Sequence, residues 1–279
     1  MQINRTPCLT LKMMNNAPKN AIAVDFAIAM VNYKTLALTK ISLSLLKQHI
    51  DAGAIPKNTE IWVVDNDSND DSTDYLRSLD WIHLIERKSV GKEQGFAAHG
   101  HALDLILEQI NCPYLFLMHT DTFIYRPDVF ALLLTQMQTD AKNVVVGCLE
   151  QLNRGYLRSG WRIVSRFCKY HYRTQMLQFG FKARDPKPYK EQYVKSFFAL
   201  WNVQWMKQNK LTFMMQDRIP GYALQDKALE TAYKIKLISP MKLFNYLDHA
   251  EAGTVGLVAG YDDMNRRIKR KLELLKKYQ

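Results

Sequence analysis

The sequence predicts an α/β fold, a largely parallel sheet flanked by helices, and three observations carry that prediction. Apolar runs alternate with segments of helical spacing, which is the pattern of repeated β-α units. Several of those runs end in polar clusters, as in MVNY at 30–33, VVDN at 63–66 and FLMHTDT at 116–122, where parallel sheets place ligands. A chain of 279 residues with 47% apolar and 23% charged side chains can bury one good-sized core without a second domain.

The elements follow in order. Ala27 to Tyr33 reads as a strand, and the next fifteen residues put Leu38, Ile41, Leu45 and Leu46 on one helical face. After Pro56, IWVV is a second strand, followed by the acidic loop Asp65 to Ser72 and a helix reaching Leu79. Four carboxylates in that loop repel one another unless they face water, cap the helix or meet a ligand. Asp71 and Ser72 suit the cap, whereas Asp65, first beyond the strand, suits a ligand. WIHLIER is a third strand. Gly91 and Gly95 then lead into a helix ending before Pro113, whose N-terminal N–H groups suit phosphate. His101 near its start is a candidate ligand contact, with a structural role as the alternative.

Tyr114 to Met118 is the central buried strand, and it runs into His119, Thr120, Asp121 and Thr122 before a helix behind Pro127. His119 and Asp121, two residues apart, point the same way and together could hold a divalent cation; a turn-capping Asp is the plain alternative. Asn143 to Glu150 is a further strand. Beyond it Arg154, Arg158, Arg162 and Arg166 recur every fourth residue with aromatics between them. Like charges at that spacing repel on a helix, so either an anion rests on the stripe or the arginine stems cover apolar surface. Phe197, Phe198, Trp201 and Trp205 follow; Trp201 and Asn202 are candidates for stacking on and bonding to a sugar, and a core position is the alternative. A helix beginning near Leu224 places Asp226 in its first turn, as a cap or a base. Asp248 and His249 precede a small-residue loop, and the chain ends in a basic helix with Met264, Ile268, Leu272 and Leu275 on one side.

The net charge of +11 is concentrated. Residues 154–195 hold 11 basic and 2 acidic side chains and residues 264–279 hold 7 and 1, so these faces point to an anionic partner: a membrane surface, a phosphorylated acceptor or nucleic acid. Cys8, Cys112, Cys148 and Cys168 lie far apart, without metal-ligand spacing, and read as reduced, mostly buried thiols of a cytoplasmic protein. The first twenty residues lack the apolar core of a signal peptide and read as a loose tail, and no apolar run approaches the ~20 residues of a membrane span.

Taken in order, MVNY, VVDNDSNDDS, QGFAAHGHAL, HTDT with RPDVF, LQDKAL and DHAEAGT resemble the family 2 glycosyltransferases of the bacterial cell-surface polysaccharide type, over about Ala27 to Thr254. The resemblance implies a GT-A fold: a single nucleotide-diphospho-sugar transferase domain over 21–260, with a mixed, mostly parallel central sheet, a tail before it and the basic helix over 261–279. It implies inverting transfer of a sugar from a nucleoside diphosphate, UDP first, to a hydroxyl of a glycan or lipid-linked acceptor; the basic C-terminal helix and the arginine stripe place that work at the cytoplasmic face of a membrane. Asn32, Tyr33, Asp65, Gly95 and His101 would bind the donor. Asp121 and His249 would hold Mn²⁺ or Mg²⁺, with His119 as a further ligand, which favours Mn²⁺, or as a ribose contact. Trp201 and Asn202 would meet the acceptor. Asp226 would be the base, with Asp217 in reserve, because Gln225 stands where the family has a second acid. A nucleic-acid-binding protein or a non-catalytic sugar-nucleotide-binding protein is the alternative, although Asp65, Asp121 and Asp226 would repel a phosphate backbone and no nucleic acid is expected. A sugar nucleotidyltransferase lacks its Gly-rich, Arg-containing loop here.

Overall fold

The computed structural model describes residues 25–250, except 90, 92, 94 and 151–155 and the side chains at 156, 158 and 159. The expected N-terminal tail, the C-terminal basic helix and Arg154 and the Arg158 side chain lie outside the described residues. The elements run β1 (Phe26–Asn32), α1 (Leu36–Asp51), β2 (Glu60–Asn66), α2 (Asp71–Arg77), β3 (His83–Arg87), α3 (Gly95–Gln109), β4 (Tyr114–Met118), β5 (Thr122–Ile124) and α4 (Asp128–Gln138). Then follow β6 (Asn143–Gly147), α5 (Tyr156–Gln178), β7 (Phe198–Asn202), α6 (Val203–Gln208), α7 (Tyr222–Glu230), β8 (Lys234–Leu237), α8 (Pro240–Leu243) and β9 (Leu247–His249).

Seven strands form one sheet in the order β3-β2-β1-β4-β7-β6-β8, with β7 antiparallel to both its neighbours. The sheet is therefore mixed and mostly parallel. β1, β4, β6 and β7 are almost wholly apolar because both faces are covered. One face packs Leu43 and Leu46 of α1, Leu76 of α2 and Phe130, Leu133 and Met137 of α4 onto Ile28, Met30, Phe116 and Phe198. The other packs Leu103, Ile106 and Leu107 of α3, Met206 of α6 and Leu224 of α7 onto Ala27, Ala29, Leu117 and Trp201. The alternate parity of residues 26–30 and 115–118 decides which side chain meets which layer.

Strand order reverses between β1 and β4: β1 leads to β2 on one side, while β4 lies on the other. Loops leaving the carboxyl ends of β1 and β4 must diverge there, which opens a crevice. Asn32 closes its floor. Fully buried, it donates to Asp65 Oδ1 at 2.7 Å, Ser72 Oγ at 2.9 Å and Ser68 Oγ at 3.2 Å. Its carbonyl accepts from Thr39 at 2.8 Å and Thr35 at 3.1 Å. Thr35 in turn meets Thr120 Oγ1 at 3.2 Å, so β1, β2 and β4 are joined at their ends by side chains as well as by the sheet.

Small local differences from the sequence expectation have local causes. Asp70, not Asp71 or Ser72, caps α2, accepting from Ser72 N at 2.9 Å. Cys148 is buried and Cys112 partly so, but Cys168 is exposed on α5. Replacing Asn32 by Ala leaves the Asp65 carboxylate buried with its best amide donor gone. Urea unfolding should show a loss of about 2–4 kcal/mol, the range for a buried charged group stripped of a partner. An unchanged midpoint would remove Asn32 from the role of keystone.

Candidate active site

Four strand ends and one short ribbon build the site. At the end of β4, His119 N bonds to Phe197 O at 3.0 Å, and the chain turns so that Thr122 N returns to His119 O at 3.0 Å. This turn lifts Asp121 out of the strand line and starts β5. β5 pairs antiparallel with β9, with Thr122 opposite His249, and Ala250 N bonds to Asp121 O at 2.9 Å. A residue 128 positions downstream is thereby set against Asp121 by backbone register alone.

His249 Nε2 lies 3.0 Å from Asp121 Oδ1, and His119 Nδ1 lies 3.9 Å from the same oxygen. The three ligand atoms all fall within 4.8 Å of one another. Cis ligands about 2.1 Å from an ion sit about 3 Å apart, so the spacing fits a divalent cation, and the imidazole and carboxylate donors suit Mn²⁺ better than Mg²⁺. Ring positions are fixed from behind. His119 Nε2 meets Ser196 Oγ at 3.1 Å, which leaves Nδ1 facing Asp121, and His249 stacks on Phe197 at 4.7 Å between centroids. Burial, reinforced by the neighbouring imidazole of His99, pushes His119 down to about 3. Its lone pair is therefore available at neutral pH.

His99 on α3, indistinguishable from His101 by spacing alone, stands edge-on to His119 at 5.3 Å. Burial pushes it down to about 4, and its Nε2 has no hydrogen-bond partner among the described residues. His101 instead faces outward and meets Glu93 at 3.0 Å, while Glu93 is held by both contacts to Arg87 Nη2 at 2.7 Å. Gly95 opens α3 with no atom of the described residues within 4 Å of where a Cβ would stand, so a ligand could approach its backbone. Tyr33 lies beyond β1, half-buried beside Lys34.

Asp65 and Asn32 are adjacent, as expected, but both are turned into the protein. Asp65 is 3% exposed; Oδ1 accepts from Asn32 and from Ser68 Oγ at 2.5 Å, and Oδ2 accepts from Thr73 Oγ1 at 2.8 Å. They hold the loop and do not line an open pocket. Asp67 of that loop is half-buried, in left-handed backbone with φ 63°, and its carboxyl is held below its ordinary range first by the Asn69 amide and then by Ser89 N–H.

The acceptor assignment of Trp201 and Asn202 is corrected by the sheet. Trp201 is 2% exposed and packs in the core, and Asn202 caps α6, accepting from Trp205 N at 2.9 Å. Their register opposite Leu115 and Tyr114 puts them at the end of β4 away from His119. Phe197, Phe198 and Trp205 are buried as Trp201 is. The two arginines of the stripe whose side chains are described turn to acids of the protein itself. Arg166 bonds to Glu150 at 2.5 Å and Glu191 at 2.7 Å, and Arg162 lies 3.6 Å from Glu150, so these cations are matched by the protein's own carboxylates.

α7 begins at Tyr222, two residues earlier than the spacing suggests, because Gly221 takes the left-handed φ of 83° just before it. Asp226 therefore sits in the second turn and caps nothing. Its Oδ2 accepts from Arg218 Nη1 at 2.6 Å and Tyr193 OH at 3.2 Å, and Arg218 Nη2 also reaches Tyr193 at 2.8 Å. Gln225, where a second acid might stand, is buried and bonds to Val194 N at 2.8 Å, so a charge there would have to be desolvated. Asp217 is exposed, in left-handed backbone with φ 50° beside Gln216 at φ 58°. Arg218, Tyr193 and Ser196 carried no sequence signal, since each gains its role only through a partner far along the chain.

The sequence profile described as Glycosyl transferase family 2 matches residues 27–208. Among solved structures, the mannosyltransferase PcManGT of Pyrobaculum calidifontis, in complex with GDP-Man and Mn²⁺, aligns with a TM-score of 0.51 at 14% identity, over 77% of this chain and 56% of its own. TarS 1-349 of S. aureus aligns with a TM-score of 0.48 at 16% identity, over 77% of this chain and 58% of its own. Glucosyl-3-phosphoglycerate synthase from Mycobacterium tuberculosis aligns with a TM-score of 0.47 at 14% identity, over 77% and 70%. This chain thus spans little more than half the length of the first two. No curated protein matches it.

The depressed His99 and His119 make stability depend on pH. Between the ordinary imidazole value of 6.5 and the folded values of about 4 and about 3, the unfolded chain binds protons that the folded chain refuses. Stability is therefore complete above pH 6.5 and is lost as pH falls toward 4. Melting followed from pH 7.5 to pH 4.5 should show that decline, and His99→Asn should flatten it; an equally steep decline in the variant would exclude His99 as a source.

Proposed function

The chain belongs to glycosyl transferase family 2 and has the GT-A fold, and from that membership we propose that it transfers a sugar from a nucleoside diphosphate to a hydroxyl group, with inversion. The observation that carries this reading is the meeting of His119, Asp121 and His249 at the crevice where strand order reverses. UDP is the first nucleotide to test. The acceptor is a glycan or a lipid-linked sugar, and the work is done at the cytoplasmic face of a membrane.

In this reading Asp121, His249 and His119 hold Mn²⁺, which when bound offsets the negative charge that develops on the leaving diphosphate. Ser196 and Phe197 keep the two imidazoles in place. The Asn32–Asp65 network fixes the loop that the nucleoside meets, with Tyr33 and Asp67 at its surface, and Gly95 lets the α3 N-terminus approach phosphate. Asp226 is the base. Arg218 and Tyr193 both converge on its Oδ2, so Oδ1 is the oxygen offered to an acceptor hydroxyl, and their grip orients the carboxylate. Asp217, exposed and without such support, is the weaker candidate. The nucleic-acid alternative loses support from the pairing of Arg162 and Arg166 with Glu150 and Glu191.

A thermal-shift panel of UDP, GDP, dTDP and CMP, each with and without Mn²⁺, should show one diphosphate stabilising the protein in a metal-dependent way. Asp121→Asn should abolish the metal dependence; a protein that ignores every nucleotide would sink the proposal. Asp226→Asn should lower kcat by about 10²- to 10⁴-fold, the usual worth of a positioned base, while leaving nucleotide binding intact. Loss of activity in Asp217→Asn alone would move the role to that residue.

A further inference from the structure

α5 is inside out for a helix of a globular domain. It runs 23 residues, and its arginines Arg162 and Arg166 turn inward to Glu150 and Glu191. The side it turns to solvent is largely apolar from Leu157 to Tyr172, with Gln175 exposed beyond them. Leu157, Trp161, Val164 and Tyr172 are 92%, 73%, 49% and 62% exposed, with Cys168 exposed among them. Their spacing of four, three, four and four residues keeps them on one side of the helix, and Phe179, 77% exposed, follows in the same direction. Scattered exposed apolar residues mean little, but a continuous stripe of large ones marks a contact surface.

The surroundings of the stripe say what covers it. Lys169 flanks it on the helix, and at its C-terminal end Arg173, Ala183, Arg184, Asp185 and Lys187 line a cleft of about 570 Å³. Among the described residues Arg173, Arg184 and Lys187 form no ion pair with a carboxylate, in contrast to Arg162 and Arg166. Three cations around one cleft beside an apolar stripe match a surface that is apolar below and anionic above. A second copy of the same face would set one net +9 segment against another, which opposes pairing. No helix among the described residues is long and apolar enough to cross a membrane, so the helix would lie in the plane of the interface, where Trp and Tyr side chains are favoured.

We propose that the outward face of α5, with the Arg173–Arg184–Lys187 cleft at its end, docks on an anionic phospholipid bilayer. Leu157, Trp161, Val164 and Tyr172 enter the headgroup–acyl boundary, and the cleft takes lipid phosphate. This goes beyond the sugar-transfer reading, because it stands on a surface outside the crevice and needs no donor. It also relocates the membrane contact from the arginine stripe to the opposite side of the same helix.

The test is sedimentation of the full chain with vesicles of phosphatidylcholine alone and of phosphatidylcholine mixed with phosphatidylglycerol, at low and high salt. The protein should follow the anionic vesicles and be released by salt. The double variants Leu157→Glu/Trp161→Glu and Arg184→Glu/Lys187→Glu should each lower binding about tenfold or more. These side chains are exposed, so the variants should keep the wild-type melting temperature and the same nucleotide-induced shift, which separates this test from that of the sugar-transfer reading. Undiminished vesicle binding in both variants overturns the proposal, as does equal binding to neutral vesicles or no binding at all. So does a wild-type dimer, dispersed by Leu157→Glu/Trp161→Glu, that ignores vesicles.

Discussion

The buried contact between Asn32 and Asp65 is the constraint on which the rest of the crevice depends. A carboxylate 3% exposed at the end of a hydrophobic strand is tolerable only if its oxygens are satisfied, and here an amide, two hydroxyls and a backbone N–H do so. Satisfying it draws the ends of β1 and β2 together and fixes where α1 and α2 begin. With the ends fixed, the connecting loops can hold unfavourable backbone: Lys34, Asp67 and Asn69 all have φ between 49° and 63°. Such residues persist where their surroundings over-determine them, and they cluster at ligand-facing loops.

The half of the site built from His119, Asp121 and His249 is assembled differently. Asp121 is delivered by the turn after β4, His119 by the strand end itself, and His249 by three residues of β9 laid against three of β5. Local chain stiffness fixes the first two. The third depends on register across 128 residues, so anything that slips β9 by one position turns His249 away, since neighbouring side chains on a strand face opposite sides. The two halves meet through the Thr35–Thr120 contact, a hydroxyl pair that joins the loop after β1 to the turn after β4.

Much of this was legible in the sequence, and the reasons differ by element. The β-α units of the first half were visible because long apolar runs and helical spacing are strong local signals, and His119, Asp121 and Asn32 were visible because they end such runs. β5, β8 and β9 were not, because strands of three or four residues carry almost no periodicity. The direction of the arginines in α5 was invisible because a one-in-four repeat gives a stripe without saying which side it faces; only the positions of Glu150 and Glu191 decide that. His99 and His101 differ by 200° around α3, and nothing local tells which looks inward. Trp201 differs from expectation for a related reason: an aromatic in a run of aromatics looks the same in sequence whether it meets sugar or core.

Trp201 has a consequence of its own. Its indole lies where a Cβ on Gly221 would come within 3.1 Å, and Gly221 is the left-handed residue from which α7 departs. The ring is thus a spacer set beneath the root of the helix that carries Gln225 and Asp226. A bulkier residue at 221 or a smaller one at 201 would shift that helix bodily. The helix that carries the Asp226 carboxylate thus takes its starting point from a side chain that is itself 2% exposed, so the placement of that acid is inherited from the packing behind it.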